Sequence, residues 1–362
     1  MKKNLLTLSF MLLLAIAGYS QATFSTGGVR FDVDEYGAME IYSAADVVQL
    51  DRASILVGTS ATAVFDYKND AEQNEPTVLV ASPTMSDFEI YGAYDNTYSN
   101  DPPEVIVKLN AYGWTNQKFV IVKFNVKNNS LLPFDATTGL DIIPYLNSEW
   151  GFDTVTYNAA QNVIRFHREV TTNMGIKLLS APLTSLYSFE WYSGYSVDAD
   201  YWDWMNKGTL QPEFVGMVDG PVAITAQAPK TLAAGASYDV YYAFALGANE
   251  TEMLANMEAA QLKYNILTTS VKETPLAGTG LKNYPNPVNS TTTFSYQTPI
   301  DGNVSLKIYN VMGVEVAEVL NKSQAAGLHT VDFDASNLAA GAYTYKLKLN
   351  NQVVTNKMFV VK

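Results

Sequence analysis

The sequence contains no cysteine among its 362 residues. This absence excludes disulfide bonds, iron–sulfur clusters, cysteine-ligated zinc, thiol catalysis and lipidation of an N-terminal cysteine. Histidine is almost as scarce, since His167 and His329 are the only two. Two histidines cannot fill a three-histidine zinc site, and a histidine-dependent triad would have to use one of them. The sequence therefore predicts no metal site and no cofactor.

Charge is also sparse, because only 16% of the residues are Asp, Glu, Lys or Arg. Together with 48% hydrophobic residues, this argues against a disordered or coiled-coil chain. Acidic residues outnumber basic ones by 36 to 23, and the resulting net charge of −13 argues against nucleic-acid binding. The 23 tyrosines and the 12% aromatic content are typical of a β-rich protein that works outside the cytoplasm.

Long apolar runs are absent except at the N-terminus. Lys2 and Lys3 precede an apolar run over residues 5–17, and small residues follow it at Ser20 and Ala22. This order predicts a signal peptide over residues 1–22, with cleavage after Ala22 or after Ser20. The alternative is a membrane anchor, but the run is short for a bilayer span. We therefore expect no transmembrane segment in the mature protein.

The pattern of residues 23–267 predicts a succession of short strands. The clearest is Phe119–Lys127, where Val and Phe alternate with Lys and Asn at the period of two that a strand requires. One helix is expected late in this region, because Asn249 is a good N-cap and Glu252 follows three residues later. The predicted fold is all-β: a large β-sandwich cargo domain with one late helix.

A second domain follows a linker. Residues 268–282 are small and polar with Pro and Gly, which predicts the linker. Strands then recur over residues 283–362, which predicts a small immunoglobulin-like β-sandwich. Charge supports the division, because residues 281–362 carry a net charge of +2 while residues 23–280 carry −17.

The tail carries several motifs in a fixed order. They are Tyr284-Pro285-Asn286-Pro287, the segment from Leu306 to Gly313, the segment Gly327–Val331, the segment from Leu338 through Gly341 to Tyr343, and the closing residues Lys357–Lys362. At the end of the chain and in this order, they resemble the type A C-terminal sorting domain of the bacterial type IX secretion system. An ordinary adhesive immunoglobulin-like repeat is the alternative.

The resemblance implies partners and a destination. The implied sorting motif consists of Tyr284, Pro285, Asn286, Pro287, Gly313, Gly341, Tyr343 and Lys357. Its partners would be the outer-membrane translocon and the sorting machinery, with surface lipopolysaccharide as an attachment point. The protein would pass the periplasm and the outer membrane, and would then be secreted or held at the cell surface. The cargo region also resembles a β-sandwich region of other type IX secreted proteins, on Phe119–Asn129 and Tyr241–Gly247.

One aromatic cluster could form a ligand platform. It consists of Trp191, Tyr195, Trp202 and Trp204, next to several aspartates. Flat rings beside carboxylates can stack on sugar faces and accept hydrogen bonds from hydroxyl groups. The alternative is core packing around a short helix, which Asp198 or Asp200 would cap and Gly208 would end.

Three further groups of polar residues could be functional sites, but each also fits an ordinary structural role. The acids Asp198, Asp200 and Asp203, and separately Asp66, Asp70, Glu72 and Glu75, lack the pattern of a calcium loop and fit solvated loops. His167 lies between Arg165 and Arg168, which suggests a base or an anion site, but a charged strand edge explains it as well.

No catalytic motif is present, so no catalytic residue is assigned. We expect an exported, non-enzymatic module that binds glycan or protein. The alternative is a secreted carbohydrate-active enzyme that uses a pair of carboxylates, and a third possibility is a structural matrix protein. A deep pocket with two acids and aromatic walls would favour the enzyme, whereas a shallow aromatic strip would favour the binding module.

Overall fold

A computed structural model describes residues 21–168, 172–269, 274–275, 279–310, 314–349 and 352–362. The chain divides into two compact units, residues 1–267 and 268–362. The predicted fold class is confirmed, because a large β-sandwich is followed by a small β domain. Within the described residues, the helices are all too short or too polar to cross a membrane. Residues 1–20 of the expected signal peptide lie outside the described residues.

The first unit is built from strands, with two α-helices and one short 3-10 helix at Leu146–Ser148 among its described residues. The helices are α1 (Asp198–Met205) and α2 (Glu250–Thr269). The strands are β1 (Ala22–Ser25), β2 (Val29–Val33), β3 (Met39–Ser43), β4 (Val48–Ser60), β5 (Ala63–Phe65), β6 (Glu72–Leu79), β7 (Phe88–Asp95), β8 (Val105–Gly113), β9 (Phe119–Asn128), β10 (Phe134–Pro144), β11 (Thr154–Asn158), β12 (Val163–Arg168), β13 (Thr172–Leu178), β14 (Leu183–Glu190), β15 (Glu213–Val215), β16 (Pro221–Gln227), β17 (Lys230–Leu232) and β18 (Ser237–Gly247).

These strands form two antiparallel sheets. The first has the order β1-β2-β3-β4-β10-β16-β14, with β5 on β4 and β17 on β10. The second has the order β15-β11-β12-β13-β18-β9-β8-β7-β6. Their inner faces pack into one core, in which the ring centroids of Phe31 and Phe244 lie 6.4 Å apart. The alternation expected in β9 is present, since Val120, Val122 and Phe124 are buried in this core.

Helix α2 covers the outer face of the second sheet. Met253 and Met257 are buried there against Ile121, so β9 is buried on both faces at its centre. The predicted N-cap is confirmed, because the amide of Glu252 donates to Oδ1 of Asn249 at 3.0 Å. Gly247 permits the close approach of the helix, since a Cβ there would lie 2.3 Å from the nitrogen of Met253.

Helix α1 covers the outer face of the first sheet. Tyr201 and Trp204 are buried against β4 and β16, which makes this face a second, aromatic core. The helix begins after Val197, whose side chain makes no cap hydrogen bond. Asp198, one of the expected caps, instead accepts the amide of Val64 at 3.2 Å and so ties the helix start to β5.

The second unit is a small sandwich with its own core. Its strands are β19 (Thr274–Pro275), β20 (Lys282–Tyr284), β21 (Thr291–Thr298), β22 (Gly302–Tyr309), β23 (Glu315–Gln324), β24 (Gly327–Asp334), β25 (Gly341–Leu349) and β26 (Gln352–Val360). The five-stranded sheet has the order β19-β26-β25-β22-β23 and the three-stranded sheet the order β20-β21-β24. Phe294 and Tyr345 meet in the core with ring centroids 4.8 Å apart.

Candidate functional site

The outer face of the first sheet carries charged side chains beside α1. Ile143 of β10 pairs with Arg52 of β4, and Asp141 pairs with Ser54 two positions along. Leu140 and Ile142 point into the main core, so the alternation of β10 turns Asp141 and Ile143 to the outer face. The strand register therefore places a cation and a carboxylate side by side on the face that also carries the apolar Leu56 and Ile143.

A buried polar network joins this face to the segment that carries α1. The carboxylate of Asp141 is 1% exposed and accepts hydrogen bonds from the hydroxyls of Tyr195 and Tyr201, both at 3.0 Å from Oδ2. Arg52 forms an ion pair with Asp141 and donates to the hydroxyl of Tyr195 at 2.6 Å. Burial and the charge of Asp141 raise the pKa of both tyrosines, so both remain hydrogen-bond donors.

Above this network lies a cavity of about 550 Å³. Its volume falls within the range of small-molecule sites. Trp150 and Trp191 form aromatic walls, and charged groups of both signs stand between them. The lining residues are Asp51, Arg52, Lys68, Ile143, Trp150, Trp191, Tyr195, Val218 and Asp219.

Trp150 is held in place from both sides. Its ring lies on that of Tyr145, with centroids 4.3 Å apart, while half of Trp150 remains exposed. Arg168 reaches over from β12 and donates to the carbonyl of Glu149 at 2.9 Å and to the carbonyl of Gly151. Because these carbonyls flank Trp150 in the sequence, Arg168 fixes the loop that presents the indole to the cavity.

The opposite wall is a turn held by one carboxylate. Glu190 accepts the backbone amides of Met217 at 2.8 Å, Asp219 at 2.8 Å and Gly220 at 3.0 Å. Trp191, the next residue, donates its own amide to the carbonyl of Gly220 at 2.8 Å. Glu190 therefore sets the position of Trp191 and of Asp219 together.

The two walls contact each other directly. The amide of Phe152 donates to the carbonyl of Met217 at 2.6 Å. Gly151 has a φ of 75°, and a Cβ there would lie 2.5 Å from the carbonyl oxygen of Val218. Only glycine fits this contact, so the cavity walls are preformed rather than assembled around a ligand.

The four residues of the predicted platform divide into two pairs. Trp191, 39% exposed, and Tyr195 line the cavity. Trp204 is buried in the aromatic core. Trp202 is half-buried and packs over Gly58, where an added Cβ would lie only 3.0 Å from the indole ring. The structure therefore does not bring Trp202 and Trp204 to the cavity, because the helical spacing of α1 turns them onto the sheet.

Sequence reasoning missed Trp150 and the charged lining. Trp150 carried a usable signal, since an exposed aromatic follows Asn147, Ser148 and Glu149 and precedes Gly151 in a run typical of a loop. The charged residues carried none, because their positions in the sequence do not reveal which strand neighbours them.

The aspartates singled out in the sequence do not converge. Asp203 pairs with Lys207 one helical turn away, and Asp198, at the start of α1, accepts the amide of Val64 in β5 as described above. Asp66 accepts the amides of Lys68 at 2.7 Å and Asn69 at 3.0 Å, so it closes a local turn. Among the described residues, no group of three or more acids and histidines could hold a metal ion.

The basic residues around His167 do not converge on one site either. Arg165 pairs with Glu250 at the start of α2 at 2.9 Å, whereas Arg168 points to the loop of Trp150. His167 lies opposite Thr154 on β11. The two arginines serve separate structural contacts, so they offer no common anion site. Glu169, which follows them, lies outside the described residues.

The predicted sorting-motif residues lie in the second unit. Asn286 is bound to β26, since its amide group donates to the carbonyl of Lys357 at 3.1 Å and its Oδ1 accepts the amide of Phe359 at 2.9 Å. Tyr284 is exposed, and the hydroxyl of Tyr343 donates to the carbonyl of Ala339 at 2.9 Å. The remaining positions are the exposed Pro285 and Pro287, Gly341 at the start of β25, and Gly313, which lies outside the described residues.

Two buried aspartates predict how stability depends on pH. Burial raises the pKa of Asp66 and that of Asp153, the partner of Arg168, to about 6 each. An unfolded aspartate titrates near pH 4, so the folded state binds the extra protons between about pH 4 and 6. The stability that each group contributes is fully present below that window and is lost as the pH rises through it.

We therefore expect the free energy of unfolding to fall as the pH rises from 4 to 6, by up to about 3 kcal/mol for each aspartate. Thermal unfolding at a series of pH values measures this. Asp66→Asn and Asp153→Asn should each flatten the curve, while Asp87→Asn, at an exposed carboxylate whose pKa is lowered by Thr115, should not. Stability that rises with pH across this window would contradict the assignment.

Comparison with known proteins identifies the tail. Residues 282–362 match the family model of the secretion system C-terminal sorting domain. The resemblance predicted from the tail motifs is thereby confirmed, and the chain is a cargo of the type IX secretion system. It is exported through that system to the cell surface or secreted, and the sorting domain implies contact with the secretion machinery. A search of curated proteins finds no match to the sequence.

Solved structures resemble the fold at low identity. A bacterial glucoamylase complexed with acarbose matches 69% of this chain and 37% of its own, with 11% identity and a TM-score of 0.51. A polysaccharide lyase matches 93% of this chain and 45% of its own, with 10% identity and a TM-score of 0.35. A GalM/aldose epimerase homologue from C. elegans matches 64% of this chain and 99% of its own, with 9% identity and a TM-score of 0.38. This chain therefore spans little more than a third of the length of the glucoamylase, and the likeness concerns the fold.

Proposed function

We propose that the first unit binds carbohydrate in the cavity between Trp150 and Trp191, after type IX secretion has delivered it outside the cell. The observation that carries the proposal is the pair of partly exposed indoles across one preformed cavity, with carboxylates and cations between them. Indole faces stack on the C–H faces of sugar rings, and the charged groups can bond to ring hydroxyls.

The supporting residues fit binding better than they fit packing. Arg168 and Glu190 hold the two loops by seven hydrogen bonds to backbone groups and carboxylates. Ordering these loops before a ligand arrives removes an entropic cost from binding. A surface that served only to close the fold would have no need to hold two tryptophans partly exposed.

A secreted carbohydrate-active enzyme is the second candidate. Asp51 and Asp219 line the same cavity, and burial raises the pKa of Asp51, as a general acid requires. The likeness of the fold to part of a glucoamylase is compatible with an enzyme, but a fold alone assigns no activity. Product release from oligosaccharides during the binding assay separates the two candidates, and turnover lost in Asp51→Asn would favour the enzyme.

Two tryptophan substitutions test the binding site. Trp150→Ala and Trp191→Ala should each weaken the binding of the purified secreted protein to its oligosaccharide by about tenfold, because each removes one stacking face. Isothermal titration or a polysaccharide pull-down measures the change. Phe152→Ala is the matched control, since this aromatic is 64% exposed on the same loop but does not line the cavity. Unchanged affinity in both tryptophan variants would exclude this cavity as the site.

The remaining partners are those of the sorting domain. Attachment to surface lipopolysaccharide, or release into the medium, follows removal of the tail in this proposal. Protein binding by the first unit would be indicated if no carbohydrate binds and a protein ligand depends on Trp150 and Trp191.

The first strand bears on where the signal peptide ends. Ala22 begins β1, pairs with Val33 and is only 5% exposed. Cleavage after Ser20 would leave this strand intact, whereas cleavage after Ala22 would remove its first residue. The proposal therefore places the mature N-terminus at Gln21, which mass spectrometry of the secreted protein can read directly.

A further inference from the structure

The charges around the cavity bear on which sugars it accepts, an inference that rests on the proposed carbohydrate binding. Arg52 lines the cavity, but its terminal nitrogen already pairs with the buried Asp141 and donates to Tyr195. Its positive charge is thus neutralised within the fold. An anionic ligand at this guanidinium would meet a cation whose charge is already balanced by Asp141, a carboxylate that accepts from three hydrogen-bond donors.

Among the described residues of the lining, the remaining charged groups are two acids and one cation. Within the described residues, the side chains of Asp51 and Asp219 accept no hydrogen bond and form no ion pair, and Lys68 has no ion pair either. Asp51 is half-buried at the cavity, and its carboxylate oxygens are not among the buried polar atoms that lack a partner, so a ligand hydroxyl can replace the water that solvates them. The lining therefore presents more carboxylate than cation to an incoming ligand.

The wider field has the same sign. Residues 23–280 carry a net charge of −17. At low salt such a field extends beyond the contact distance and repels a polyanion before it reaches the surface. Local and long-range electrostatics therefore act together against acidic polysaccharides.

We infer that the cavity binds uncharged pyranose units and excludes uronic acids and sulfated sugars. Ring hydroxyls donate to Asp51 and Asp219 in charge-assisted hydrogen bonds, Lys68 donates to a sugar oxygen, and the indoles of Trp150 and Trp191 stack on the ring faces. A carboxylate on the sugar would instead add a further negative charge to a lining whose described residues already include Asp51 and Asp219.

Matched ligands test this inference. Malto-, cello- and manno-oligosaccharides are each compared with their C6-oxidised forms, which differ from them only in carrying carboxylates, and chitosan oligosaccharides serve as the cationic probe. The full secreted protein should bind at least one neutral series about tenfold or more tightly than its oxidised form at low salt. Added salt should narrow that gap while leaving the affinity for the neutral form nearly unchanged.

Two variants isolate the cause. The double variant Asp51→Asn with Asp219→Asn should reduce the discrimination between neutral and oxidised forms, while Lys68→Gln should increase it. Tighter binding of an oxidised form than of every neutral series, or chitosan binding that strengthens when salt is added, overturns the inference and leaves carbohydrate binding in place. If no series binds, the proposed function fails and the inference fails with it.

Discussion

Deletion of residues 281–362 is expected to abolish delivery to the cell surface and leave the shortened protein in the periplasm. The reason is that the matched sorting domain occupies residues 282–362 and forms a compact unit with its own core. The first unit buries a separate core, so it should fold without the tail. Cell fractionation with antibody against the first unit measures the distribution between periplasm, surface and medium.

The controls for this deletion are a folding check and a transfer experiment. Thermal unfolding of the accumulated fragment should show a cooperative transition, which would separate a sorting defect from misfolding. Residues 268–362 fused behind a signal peptide and an unrelated soluble protein should carry that protein to the surface. Normal surface delivery of the deleted form would refute the role of the tail.

Replacement of Asp141 by Ala is expected to destabilise the first unit by about 3–5 kcal/mol. The substitution removes the ion-pair partner of Arg52, whose side chain is 15% exposed, and the acceptor for the hydroxyls of Tyr195 and Tyr201. A buried charge and two hydroxyl donors would lose their partner together, which is one of the few mechanisms that give so large an effect. Chemical denaturation of the purified protein measures the change.

A surface ion pair supplies the matched control for Asp141. Asp203→Ala removes the exposed partner of Lys207 on α1 and should change the free energy of unfolding by no more than about 0.5 kcal/mol. The double variant Arg52→Met with Asp141→Leu should recover much of the loss, because replacing both charges leaves none unpaired. A cost below about 1 kcal/mol for Asp141→Ala would show that solvent reaches the network.

Local patterns in the sequence predicted the all-β fold class. They did not predict which helix packs against which face of a sheet. The alternation in β9 and the capping residues of α2 are local, since each depends on residues within one turn or one strand. The pattern could not show that α2 also buries the second face of β9, because Ile121 and Met253 are distant in sequence. The half-buried strand expected from the alternation is therefore covered on both sides at its centre.

The candidate site was predicted only in part. Trp191 and Tyr195 were found because aromatics cluster there in the sequence, but Trp202 and Trp204 belong to the same cluster and face the sheet or the core. Periodicity in so short a helix does not reveal which of its aromatic side chains pack onto the sheet. Trp150 comes from a separate loop, so its place opposite Trp191 depends on contacts between segments far apart in the chain.

The sequence by itself determined how this protein travels, because sorting is read from an ordered set of motifs within one terminal segment. It also determined that most of the chain folds as strands, since alternation and turns are local properties. Only the tertiary structure decided where a ligand could bind. Four segments of the chain contribute Arg52, Trp150, Trp191 and Asp219 to the cavity. These segments lie close together because β10 pairs with both β4 and β16, which are distant from it in the sequence. Strand register sets which side chains share a face, and it is set by the packing of the whole sheet rather than by any one segment.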